Sequence, residues 1–176
     1  MNNLRLILVC SILVVSNLAE AQIENSNENY LSIGVPQSSG LAFADFNHYR
    51  VMNDSLYVLY QPALDTTGNY ELLESYPISK NDLRQLDSLL AQTDSLGDHT
   101  SGIFIIGWPR FFIYAKYQRK EFDGYIANCY REHIFVFVDW LNKVYPQGEI
   151  IDYNKDELIK QERHEKLKWK KREKNE

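Results

Sequence analysis

Between Leu41 and Tyr145 short apolar runs alternate with clusters of turn-forming residues. The spacing of the apolar positions separates strands from helices. Leu41 to Val51 and Leu56 to Gln61 read as two strands, and Met52-Asn53-Asp54-Ser55 between them has the side chains that turn a hairpin. Pro62 and the cluster Asp65-Thr66-Thr67-Gly68-Asn69 end the second strand. Tyr70, Leu72, Glu74 and Tyr76 then alternate with Glu71, Leu73 and Ser75, which predicts a third. Further on, Ile103 to Ile106 is continuously apolar, as an inner strand buried on both faces would be. Gly107-Trp108-Pro109 interrupts it, because proline supplies no donor to a ladder. Phe111 to Tyr117 and Phe122 to Ala127 follow as a pair of strands turned by Gln118-Arg119-Lys120.

The helical period appears twice within this span. Ser79 is a good N-cap with Asp82 three residues on, and Ile78 and Leu83 stand at staple positions. Leu83, Leu86, Leu89 and Leu90 then form one apolar stripe, predicting a helix that ends near Thr93. A second helix is expected from a cap at Asn128, with Tyr130, Ile134, Phe137, Val138, Leu141, Val144 and Tyr145 on its apolar face and Pro146 as its stop. Residues 154–176 are charged and helix-forming, with Asp156–Lys160 and Glu162–Lys166 at favourable spacing. Too few of them are apolar to bury a face, so a solvated, fraying helix is expected there.

The predicted order is β-β-β-α-β-β-β-α followed by the charged helix. Strands joined by short turns pair antiparallel, and two helices with one apolar stripe each cover one sheet face. The expected fold is therefore α+β: a two-layer sandwich with a mostly antiparallel sheet of about six strands. No fixed-period repeat is present.

Ahead of this domain the pattern changes. Arg5 precedes the apolar run Leu6 to Val15, and Ala19-Glu20-Ala21 is a cleavage pattern, so residues 1–21 read as a secretory signal peptide and Gln22 as the mature start. The run is too short to span a bilayer. Cys10 follows Val9, which is not the small residue a lipidation signal carries there. Polar, Asn-rich residues 22–40 read as a flexible spacer, 41–153 as the globular α+β domain, and 154–176 as the charged tail. The expected location is periplasmic or extracellular.

Charge is unevenly spread. Residues 22–153 hold nine Lys and Arg against seventeen Asp and Glu, whereas 154–176 hold nine against six. An acidic body argues against a nucleic-acid partner. The tail segment Lys168-Trp169-Lys170-Lys171-Arg172 mixes basic and aromatic residues in a way that suits contact with an anionic membrane surface, although Glu165 and Glu173 flank it and a solvated tail is the simpler account.

Candidate chemistry is sparse. Removing the leader leaves Cys129 as the single cysteine, so no internal disulfide framework is expected. Cys129 and His133 lie four apart on the expected second helix beside Glu132, where an imidazole and a helix N-terminus could activate a thiolate. A buried, inert packing role is the plainer reading of such a cysteine. Trp108 and Arg110 offer stacking and bidentate pairing at a turn, the chemistry of a ligand- or partner-binding hot spot, or else Trp108 plugs the end of the sheet. His48, His99, His133 and His164 have no metal-ligand spacing, and no metal site is implied. The tripeptide Asp-Ser-Leu, at Asp54, Asp87 and Asp94, is similar to an acceptor pattern of some bacterial envelope O-glycosylation systems. No P-loop, dinucleotide fingerprint, nucleophile elbow or paired-carboxylate motif occurs, so no cofactor is implied. The expected function is a small exported binding or structural module of a bacterial envelope that holds an unidentified protein or small ligand. A thiol-dependent enzyme at Cys129 and His133, or an inhibitor or immunity-type protein that neutralises a basic partner, are the alternatives.

Overall fold

The computed structural model describes residues 30–37, 44–63, 69–100 and 109–172. The expected leader, the Ile103 to Ile106 strand and Trp108 lie outside the described residues. Seven strands form one sheet: β1 (Tyr30–Pro36), β2 (Phe46–Met52), β3 (Ser55–Gln61), β4 (Glu71–Pro77), β5 (His99–Thr100), β6 (Arg110–Tyr117) and β7 (Lys120–Ala127), in the order β4-β3-β2-β1-β6-β7-β5. All neighbours are antiparallel except β5, which pairs parallel with β7. Helices α1 (Lys80–Ala91), α2 (Glu132–Val144) and α3 (Lys155–Arg172) complete the α+β fold.

The central strand is the main correction to the sequence reading. Residues 22–40 were expected to be a flexible spacer, yet Tyr30–Pro36 is β1, paired with β2 on one side and β6 on the other. Leu31 and Ile33 do alternate toward the core, where both are fully buried. The opposite positions hold Ser32 and Gly34, residues with weak strand preference, and an Asn-rich approach masks the period. Among the described residues the sheet has seven strands, five of the six expected together with β1 and the short β5, neither of which was expected, and its middle comes from the N-terminal end of the described chain.

Local chemistry sets the turns. The β2–β3 hairpin reverses at Asn53, whose φ of 55° a short polar side chain tolerates. The β6–β7 hairpin turns at Gln118 and Arg119, both at positive φ (47° and 71°). That geometry matches the twist of the flanking strands, which is why two-residue hairpins use it even without glycine. Ser79 caps α1 as expected, with its hydroxyl accepting from the Asp82 N–H at 3.1 Å.

One face of the sheet is packed. Leu31, Ile33, Val51, Leu56, Val58, Phe111, Ile113, Ala115, Phe122 and Ile126 join Leu86 and Leu90 of α1 and Ile134, Phe135, Phe137, Val138 and Leu141 of α2 in a single core. The helices are tied to each other by the Trp140 indole N–H, which donates to the Asp82 carbonyl at 3.0 Å, and by a Lys143–Asp82 ion pair at 2.8 Å. The indole bond satisfies a polar group that burial would otherwise strand.

Two further expectations change. The second helix does not begin near Asn128. Asn128 sits at φ 56°, reversing the chain after β7, and α2 starts at Glu132 behind Arg131 in extended conformation. The charged tail is helical but not wholly solvated: Leu158 is 2% exposed, and the Arg131 guanidinium grips the Glu162 carboxylate with two bonds of 2.9 and 3.1 Å. A single leucine and one bidentate pair dock the first half of α3, which counting apolar residues along the segment would miss.

Candidate functional site

The sheet face away from α1 and α2 carries a groove, and β1 is its floor. Side chains alternate across a strand, so Ser32 and Gly34 of β1 face the same way as His48 and Arg50 of β2 and as Phe112 and Tyr114 of β6. Register confirms the rows: Gly34 lies opposite His48 and Phe112, and Ser32 opposite Arg50 and Tyr114. Tyr125 and Asp123 of β7 extend the same rows. Two small residues between long ones leave a trough whose wall strands stand roughly 10 Å apart, two strand spacings. The cavity measures about 500 Å³ and is bordered by Tyr30, Arg50, Tyr70, Phe112, Tyr114 and Tyr125 among others.

The walls are aromatic. Phe112, 50% exposed, pairs with Tyr125 at 4.7 Å between ring centroids and with Phe46 at 5.9 Å. Tyr30 and Tyr114 meet at 5.2 Å toward the other end. Tyr70, just before β4, stands edge-on to His48 at 5.0 Å and lies 4.7 Å from the Arg50 Cζ. His48 leans across the floor so closely that a Cβ on Gly34 would come within 2.9 Å of its ring, which accounts for glycine there. Its Nε2 is 2.9 Å from the Gln61 side-chain oxygen. Burial holds the His48 pKa below its ordinary value despite that bond, and the Arg50 charge acts in the same direction. Neutral imidazole is thus the resting form at neutral pH.

Arg50 is the electrostatic anomaly. It is only 7% exposed, and among the described residues no carboxylate pairs with it and its buried Nε–H has no acceptor. The Tyr70 ring offsets part of the desolvation through a cation–π contact. Tyrosines nearby respond to the same enclosure. Burial raises the Tyr30 pKa while Arg50 and a Ser32 hydrogen bond oppose the rise. Burial, followed by a hydrogen bond with Glu121, pushes Tyr114 up to about 12. Both phenols remain protonated; Tyr114 donates its O–H to Glu121, and Tyr30 keeps its own to donate.

The residues singled out from sequence fare differently. Cys129 lies ahead of α2, so it shares no helical face with His133. Its thiol is fully buried and donates to the His99 carbonyl at 3.3 Å, while the exposed His133 ring meets the His99 ring at 5.5 Å. A solvent-excluded thiol supplies no accessible nucleophile. Cys129 is accordingly expected to alkylate slowly in native protein, at a rate that rises with denaturant in step with global unfolding. Rapid native labelling, measured by mass spectrometry, would contradict this. Arg110 begins β6, half-buried, on the groove side of the sheet by alternation. Lys168 is exposed on α3. Among the described residues no group of three His, Cys, Asp or Glu side chains could hold a metal ion, and no helix is long and apolar enough to cross a membrane.

Sequence reasoning missed His48, Arg50, Tyr70, Phe112 and Tyr114. The available signal was the alternation Phe46, His48, Arg50 against Tyr49 and Val51, which puts a histidine and an arginine on the solvent side of a strand. Their convergence with Phe112 and Tyr114 depends on β1 lying between the two pairs. No protein-family model matches this chain, and a search of curated proteins returns no match.

Proposed function

We propose that this chain is a small exported binding module of a bacterial envelope or extracellular space, and that the open face of its sheet takes a small ligand. The observation that carries the reading is the groove over Ser32 and Gly34, whose volume of about 500 Å³ and aromatic walls are of the size and character of small-molecule sites. Exposed Phe112 supports it, because a large apolar side chain left open beside a cleft is what an apolar ligand would cover. Export rests on the leader pattern at residues 1–21. Burial of Cys129 removes the support that a thiol-dependent enzyme drew from the sequence.

A thermal-shift screen of small organic molecules, with hits mapped on backbone amide resonances, tests the binding reading. Hits are expected to move the amides of Ser32, Gly34, Phe112 and Tyr125. An absence of hits, or shifts confined to the helical face, would overturn it.

A further inference from the structure

The ligand class follows from Arg50, and the inference rests on the binding reading above. A buried guanidinium without an anion is unfavourable, because desolvation is not repaid by Coulomb attraction or hydrogen bonds. The Arg50 Cζ lies over the Tyr70 ring, 4.7 Å from its centroid, a contact that consumes no N–H donor, and the buried Nε–H has no acceptor among the described residues. In-plane donors form the fork that a carboxylate matches with two parallel bonds. We infer that the groove seats a small monocarboxylate with a flat apolar body, its carboxylate on Arg50 and its body against Phe112 and Tyr125.

Three features narrow the class. One arginine supplies one positive charge, and Asp98 and Asp123 also border the groove, so a dianion such as a phosphate monoester meets about twice the repulsion from these carboxylates that a monoanion meets. The phenol of Tyr30, kept protonated and accepting from Ser32, borders the groove with its own O–H to donate to an anion. The far wall presents aromatic surface: Phe112 and Tyr125 stand 4.7 Å apart, tilted by 33°, beside a floor with no bulk. A flat apolar body suits such a wall.

The test uses the full mature chain and paired probes: phenylacetate, phenylacetamide and phenyl phosphate, titrated by NMR. Phenylacetate is expected to shift the Ser32, Arg50, Phe112 and Tyr125 resonances and to bind about ten- to a hundredfold more tightly than phenylacetamide. Arg50→Met should abolish that preference while leaving the fold intact and its melting temperature unchanged or higher, because it removes a buried charge of poor compensation. Phe112→Ala should weaken both probes and leave their ratio. Equal binding of acid and amide in the groove would overturn the carboxylate inference and keep the binding module. Tighter phenyl phosphate would also overturn it, in favour of a dianion. A marked loss of stability in Arg50→Met with the preference retained would make Arg50 structural and sink the proposal. If no probe touches the groove, both readings fall.

Discussion

Phe135→Ala is expected to destabilise the domain by about 3–5 kcal/mol, at the upper end of what a core truncation costs. Phe135 is fully buried on the first turn of α2. Its ring meets Phe111 of β6 at 5.7 Å, Tyr130 of the β7–α2 connection at 4.8 Å and Tyr153 of the approach to α3 at 4.5 Å. Three separate segments of chain thus close on one ring. Relaxation into the cavity would require all of them to move together, and the cavity term grows when the surroundings cannot collapse. Urea denaturation followed by circular dichroism measures the loss as a lower midpoint at constant slope. A change below about 1 kcal/mol would mean that the aromatic cluster repacks freely.

Gly124→Ala is the second. A Cβ at Gly124 would lie 2.5 Å from the Gly97 carbonyl oxygen, and the obstacle is backbone, which cannot rotate aside. The loop concerned is pinned to β7 on both sides of this point, by the Gly97 N–H to the Asp123 carbonyl at 3.0 Å and by the Tyr125 N–H to the Asp98 carboxylate at 2.9 Å. Overpacking together with strain on these bonds gives an expected loss of about 2–4 kcal/mol. Hydrogen exchange should localise it: faster exchange at Gly97 and Tyr125 and in β5, with β2 and β3 unaffected. Wild-type exchange at Gly97 and Tyr125 in this variant would refute the close-approach argument.

The groove explains why fold and site were unequally legible. The hairpin β2–β3, the capped helix α1 and the pair β6–β7 are local objects, each specified by turn residues, a cap or a period within about twenty residues, so sequence reading found them. The thiol–imidazole pair failed for a local reason as well. Asn128 is an acceptable N-cap, but it is equally suited to the left-handed conformation that turns the chain out of β7, and tertiary geometry chose the second use. A helix beginning at Glu132 leaves Cys129 in the connection, inside the core.

Local pattern was enough for the class of the fold and most of its pieces: apolar alternation in the strands, leucine spacing in α1, the wide apolar face of α2, and one sheet face to be covered by helices. The place of β1 follows only from long-range pairing. Its pattern is weak because its solvent-side positions hold Ser32 and Gly34, and those same small residues, once placed between β2 and β6, are the reason a groove exists. Register across three strands joins Arg50 to Tyr114 although 64 positions separate them in the chain. Pairing partners at such separation are selected by burial of the opposite face, where Leu31 and Ile33 complete the core. The groove is a by-product of that choice, and local periodicity marks only one wall of it, the His48 and Arg50 positions of β2.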